Sequence, residues 1–294
     1  MPELPDITLY CEALAQRIMG ATIERIDLPN PFVLRTAVPA VDEALHKRVQ
    51  NVHSQGKRVV IGLEEGLYLV LHLMIAGRLR WLEPKAKAPG RGTLALFTFS
   101  SGRLAFTEAG TKRRAALHLL RGTEALATLD AGGLDVRNLA APEFAARLTS
   151  ENHTLKRALT DPRLFSGIGN AYSDEILHRA RLSPLALTQK LEPSQITALH
   201  VAACAVLNEW IERLRNAAAG RFPEKVSAFR PEMAVHGKYN EPCPVCGAPV
   251  QRIVYAENEC NYCARCQTGG VVLADRALSR LLHKSWPRSI DAIE

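Results

Sequence analysis

Between Gly66 and Trp81 apolar residues recur with a period of two. Leu67, Leu69, Leu71 and Leu73 share one face, and Tyr68, Val70, His72 and Met74 take the other, as in a half-buried strand. "TLALFTFSSGRLAFTE" reads as two strands around a Ser-Gly turn, and "SQGKRVVIGLEEG" as a strand with turn residues at both ends. One helix, over roughly residues 5–19, precedes them; Pro5 and Asp6 suit its first turn, where a proline lacks no needed donor and an acid meets the positive helix end.

The period changes after the Gly-rich joint "LDAGGLDVRN". "APEFAARL", "LKRAL", "AYSDEILHRA" and "ITALHVAACAVLNEWIERL" are helical, and the helices stop near "AAAGRFP". A cysteine module follows. The last stretch, "LADRALSRLLHKSW", spaces Ala274, Leu278, Leu281 and Leu282 along one helical face. No internal repeat or low-complexity tract interrupts this order.

Composition narrows the classes. The chain has 294 residues, 47% of them hydrophobic, and a formal net charge of +7. That allows one or two domains with real cores and favours a polyanionic partner. No apolar run is long enough for a membrane span, and the N-terminus lacks a signal-peptide layout. A cytoplasmic protein in a reducing compartment is expected. Seven cysteines then point to metal or thiol roles before disulfides. Cys243, Cys246, Cys263 and Cys266 form two C-x2-C knuckles sixteen residues apart. That spacing suits four thiolates around one tetrahedral Zn2+ with a β-hairpin between the knuckles. With all four positions filled by protein, the metal is structural. Cys260 falls out of register.

The charge is concentrated. From Arg78 to Arg114 stand nine Lys or Arg against two acids, an excess as large as that of the whole chain. Such a cluster fits phosphate contact or a solvated face. "GIGN", ending at Asn170, can turn tightly into a helix; Asn170 can cap it, and the exposed amides can hold a phosphate. At the start, "MPELPD" puts Pro2 and Glu3 at an end that usually frays. Either these residues begin a helix, or loss of Met1 exposes Pro2 as a secondary amine beside a carboxylate.

Taken together, "MPELPD", Lys57 in "SQGKRVV", "GIGNAYSDEIL" and the late four-cysteine finger ending "CQ" resemble the formamidopyrimidine-DNA glycosylase / endonuclease VIII family over nearly the full length. The resemblance implies a multidomain α+β protein. Its parts are an N-terminal helix and β-sandwich (1–130), a helical domain with a helix–two-turn–helix motif (131–225), a zinc finger (236–272) and a C-terminal helical tail (273–294). It implies a monomer acting on double-stranded DNA with damaged bases or abasic sites, by base excision and strand cleavage through a Schiff base. Pro2 is then the nucleophile, Glu3 the general acid/base, and Lys57 a phosphate-contacting catalytic lysine. An α-amine, with a pKa of about 8, is partly neutral near pH 7, where a typical lysine is charged. Asn170 and His72 match phosphate contacts. Asp6 stands where members commonly carry glutamate.

Three departures stand out. Asn258 occupies the place of the finger arginine that grips the backbone around the lesion. Ile75 takes the place of a wedge methionine, with Met74 beside it, and Thr111-Lys112 replaces an Arg-Phe pair in the second wedge loop, as endonuclease VIII-type members, which wedge from one loop, would allow. The segment "RFPEKVSAFRPEMAVHG" lacks the Gly/Thr-rich lid of 8-oxoguanine enzymes. Oxidised pyrimidines, ring-opened purines or abasic sites are the expected substrates. A non-catalytic damage-binding protein on the same scaffold is the alternative, and an RNA- or ribosome-associated protein a weaker one; neither needs Pro-Glu at positions 2 and 3.

Overall fold

The computed structural model describes residues 1–294 except 84, 85, 87, 88, 91, 110, 111, 225, 228, 256, 257, 276–280, 283–285 and 294. They form two compact units. One comprises Met1–Ala131 with Trp210–Ala228, the other Gly132–Glu209 with Phe229–Glu294.

In the first unit, helix α1 (Leu4–Ile18) leads into eight strands. These are β1 (Ile23–Asp27), β2 (Val49–Gln55), β3 (Arg58–Leu63), β4 (Leu67–His72), β5 (Gly77–Leu82), β6 (Thr93–Phe99), β7 (Gly102–Glu108) and β8 (Ala116–Arg121), followed by the short helix α2 (Thr123–Ala127). Two antiparallel four-stranded sheets result, ordered β1-β6-β7-β5 and β2-β3-β4-β8. Val59, Ile61, Leu69, Leu71, Leu117 and Leu119 from one sheet share a core with Leu79, Phe97, Leu104 and Phe106 from the other. Ile7, Tyr10, Leu14 and Ile18 of α1 are buried in the same core. That is the sandwich expected from the resemblance. On the outer face of the second sheet Val60, Val70 and Leu120 pack with Ala125, Leu126 and Leu129 around α2. β3 and β4 are therefore apolar on both faces, which explains the unbroken "VVI" run.

The alternation over 67–74 does not continue as one strand. β4 ends at His72, and the Gly77 N–H donates to the Leu73 carbonyl at 2.8 Å. Met74 adopts φ +52°, a left-handed conformation uncommon outside glycine. Leu73 stays in the core, while Ile75 at the loop tip is 55% exposed. Backbone geometry forces the break: a Cβ on Gly77 would lie 2.2 Å from the Leu73 carbonyl oxygen. Arg78 fixes the same loop by donating to the carbonyls of Ile75 at 3.2 Å and Gly77 at 2.7 Å.

The second unit contains α3 (Ala141–Thr149), α4 (Leu155–Thr160), α5 (Asn170–Arg179) and the part of α6 (Pro193–Ala218) up to Glu209. It ends in a hairpin of β9 (Gln251–Tyr255) and β10 (Asn258–Tyr262), then α7 (Ala264–Thr268). The expected face of the final helix includes Leu278, which lies outside the described residues.

Replacing Gly77 with Ala should destabilise the chain by roughly 1–3 kcal/mol, since the added carbon meets backbone that cannot rotate away. Urea denaturation measures this; an unchanged midpoint would show that the 73–77 loop adapts freely.

Candidate functional site

In the first unit the site begins at the chain end. Pro2 and Glu3 are buried, and Glu3 is the N-cap residue of α1. The Glu3 N–H donates to the Asp6 carboxylate at 3.0 Å, which fixes the backbone just before the first turn. The terminal amine, that of Met1, is held below the ordinary α-amine pKa. Burial is the main cause. Glu3 and Asp6 oppose it, while Arg78 and Lys57 reinforce it. These four side chains therefore lie within electrostatic reach of the Met1 amine. The sequence had placed Arg78 only within a general basic cluster.

Lys57 is on the two-residue turn that joins β2 to β3, between paired Gln55 and Arg58. Gly56 supplies the positive φ (+58°) that the right-handed strand twist demands of such a turn. His72 lies opposite Arg58 on β3 and Ala116 on β8. Burial, then the nearby charges of Arg58, Lys57 and His118, push its pKa down to about 4. Any anion contact by His72 at neutral pH is thus a neutral imidazole's hydrogen bond. Met74 and Ile75 occupy the loop that Arg78 clasps. Lys112, Arg113 and Arg114 are consecutive exposed cations. Buried Glu108 organises that loop, its carboxylate accepting the N–H groups of Arg114 at 3.0 Å and Ala115 at 3.2 Å. Thr111, Lys85, Lys87 and Arg91 lie outside the described residues.

In the second unit Asn170 does not cap α5. Gly169 is the N-cap residue, and Asn170 is the first residue inside the helix. Its side-chain N–H donates instead to the Glu259 carbonyl on β10 at 2.8 Å. Asn258, exposed and next in sequence to Glu259, is thereby brought close to Asn170. Where the resemblance calls for a guanidinium stands a neutral amide, beside an acid that pairs with Arg252 at 3.3 Å.

Two buried acids of α5 hold later segments of the chain: Asp174 reaches β10 of the hairpin, and Glu175 the stretch 234–236 before it. Asp174 accepts from Lys156 at 2.5 Å, from His236 Nδ1 at 2.8 Å and from the Asn261 N–H at 3.1 Å. Glu175 accepts the backbone N–H groups of Ala234 (2.8 Å), Val235 (2.9 Å) and His236 (3.0 Å). Charges this deeply buried persist only when so fully paired. Sequence reasoning did not single out this pair; two acids midway along a buried helix were the available signal.

The sulfur atoms of Cys243, Cys246, Cys263 and Cys266 lie within 4.8 Å of one another. Two of the separations, 3.9 Å for Cys243–Cys266 and 3.4 Å for Cys246–Cys263, bracket the roughly 3.8 Å edge of a tetrahedron with Zn–S bonds of about 2.3 Å. The donors fit one structural zinc. Cys260 is buried apart from this group.

Known proteins agree with this layout. Residues 1–115 match the formamidopyrimidine-DNA glycosylase N-terminal domain, 134–219 its H2TH domain, and 240–269 a zinc finger found in FPG and IleRS. The chain is 31% identical over 278 residues to the formamidopyrimidine-DNA glycosylase of Desulfitobacterium hafniense, covering 91% of this chain and 100% of that one. It belongs to the formamidopyrimidine-DNA glycosylase family. The Thermus thermophilus glycosylase is 32% identical over 280 residues, with 92% and 100% covered. Among solved structures, the complex of wild-type Lactococcus lactis Fpg (MutM) with DNA containing an oxidised pyrimidine superposes with a TM-score of 0.81 at 25% identity, covering 91% of this chain and 100% of that one. Among the described residues no helix of this glycosylase-family chain is long and apolar enough to cross a membrane.

Two outcomes follow. Purified protein should contain about one zinc, and chelation or Cys263→Ala should unfold the finger, because the metal supplies much of such a module's folding energy; metal analysis and hydrogen exchange over 240–269 check both, and zinc-free protein with a protected finger contradicts them. His72 should make the chain acid-sensitive. Unfolded histidine binds its proton near pH 6.5 and folded His72 only near 4, so between these values the unfolded state holds more protons and stability falls as pH falls. His72→Gln should flatten the urea midpoint between pH 6.5 and 4; equal pH slopes for both proteins would show that His72 titrates normally.

Proposed function

We propose that the chain is a bifunctional DNA glycosylase and abasic-site lyase that uses the nitrogen of Pro2, freed by loss of Met1, as its nucleophile. The observation that carries this reading is the convergence of Glu3, Asp6, Lys57 and Arg78 on the Met1 amine, one residue before Pro2, at a chain end whose burial favours a neutral amine. A neutral amine attacks; an ammonium does not. The Pro2 nitrogen bonds to C1′ of the sugar, the damaged base departs with the glycosidic electron pair, and the proton released from the nitrogen neutralises the base. Glu3 protonates the ring oxygen as the sugar opens and the iminium forms. The iminium then draws electrons as a C2′ proton leaves and the 3′-phosphate is expelled. Lys57, on its tight turn, holds the phosphate of the extruded nucleotide. Asn170 and neutral His72 hydrogen-bond further phosphates. Met74, Ile75 and Lys112 fill and flank the gap left by the base. The protein works on intracellular double-stranded DNA, as a monomer in the cytoplasm.

Substrate choice follows from what the clamp lacks. Asn258 offers no charge-assisted hydrogen bond, worth about 1.5–3 kcal/mol, and the wedge rests on Met74 and Ile75. Extruding a well-stacked base costs a few kcal/mol. This enzyme therefore depends on lesions that loosen the helix themselves: abasic sites, ring-saturated pyrimidines and ring-opened purines.

Single-turnover cleavage of matched duplexes tests this. Abasic and ring-saturated substrates should react much faster than 8-oxoguanine opposite cytosine. Ile75→Ala should slow base excision more than abasic cleavage, since an abasic site has no base to displace. Fast excision of 8-oxoguanine opposite cytosine would overturn the substrate assignment, and undiminished lyase activity in protein whose Pro2 nitrogen is blocked by acylation would overturn the mechanism.

A further inference from the structure

We infer that His178 holds the zinc ligand Cys243 through an outer-sphere N–H···S hydrogen bond, and so ties metal retention to the helix that carries Asn170. The inference rests on the four-cysteine zinc assignment and adds a residue outside the finger to it.

His178 is buried on α5, and its Nε2 lies 3.3 Å from Cys243 Sγ. A buried imidazole needs a partner for its polar nitrogens. A zinc-bound thiolate only accepts, so in the loaded protein Nε2 carries the proton and Cys243 receives it. Four thiolates around Zn2+ leave two net negative charges in a largely buried site, and each donated hydrogen bond disperses part of that charge. Cys263 obtains its donor locally, from the Cys266 N–H at 3.4 Å. The donor to Cys243 comes from α5 instead, 65 residues away in sequence.

The helix face makes the coupling directional. Asn170, Asp174 and His178 recur every four residues, one stripe of α5. Asn170 reaches the Glu259 carbonyl, Asp174 the Asn261 N–H, and His178 the knuckle sulfur. The finger is thus held along a single helical edge, with the proposed phosphate contact at one end and the metal at the other. His178 is a positioning residue: it touches no substrate and acts through Cys243.

The test is zinc release from the full-length protein to a chromogenic chelator, after metal analysis of each preparation. His178→Phe fills similar space without a donor, whereas His178→Gln returns an N–H near the Nε2 position. Release should be about tenfold faster for His178→Phe and within about threefold of wild type for His178→Gln, the range seen when outer-sphere partners of a metal are removed or kept. In cobalt-substituted protein the sulfur-to-metal charge-transfer band should shift in the Phe variant alone. Equal release from all three proteins would overturn the inference, and so would equally fast release from both variants, which would make His178 mere packing. Wild-type protein without zinc would overturn the metal assignment itself.

Discussion

A chain-end amine is a usable reagent only if the chain end is fixed, and here the burial of α1 does the fixing. Ile7, Tyr10, Leu14 and Ile18 are wholly enclosed between the helix and the two sheets. Each such side chain contributes about 1.5–3 kcal/mol by leaving water, so the helix cannot lift away without opening the sandwich. Its first turn then has one place to be, and Asp6 locks the residue before it by accepting the Glu3 N–H. The surrounding cations come from the sheets: Lys57 from the β2–β3 turn, Arg78 from the start of β5. Neither is near the terminus in sequence. The fold desolvates the Met1 amine at this chain end and sets carboxylates and cations around it, an arrangement suited to shifting an amine's pKa toward neutrality.

The second unit solves a different problem. A small finger has little core of its own, and its hairpin must be held where an adjacent helix can share its work. Asp174 binds the hairpin at the Asn261 N–H, and Glu175 binds the segment 234–236 that leads to the finger. Their six hydrogen-bonded partners comprise four backbone N–H groups, one lysine and one histidine. The register of the hairpin against α5 is set at two points, the Asn261 N–H on Asp174 and the Glu259 carbonyl on Asn170. That register sets Asn170 beside Asn258 and Glu259.

Much of this was legible in the sequence, for reasons that differ by residue. The four zinc cysteines declare themselves because a chelate has fixed spacing. The sandwich strands declare themselves through short runs with a period of two bounded by turn residues, even in β3 and β4, where both faces are apolar. The end of β4 did not, since Leu73, Met74 and Ile75 continue the apolar text while the turn is imposed by the Gly77 backbone. His72 was expected to be a contact, but its neutral state depends first on its burial and then on Arg58, Lys57 and His118, all of which only folding assembles. Asn170 was read as a cap from its type and position; the amide turned instead to a carbonyl 89 residues on. Asp174, Glu175 and His178 were silent because acids and histidine in a helix ordinarily read as a solvated face, and their burial appears only with the finger in place.

The central claim is that the α-nitrogen of Pro2 is the nucleophile. It is tested by treating the protein, mixed with a duplex containing one abasic site, with borohydride, and locating the reduced cross-link by tandem mass spectrometry. The account predicts one covalent adduct on the N-terminal peptide, at Pro2, in protein that has lost Met1. An adduct on Lys57 or any other lysine, or no adduct despite strand cleavage, would contradict it.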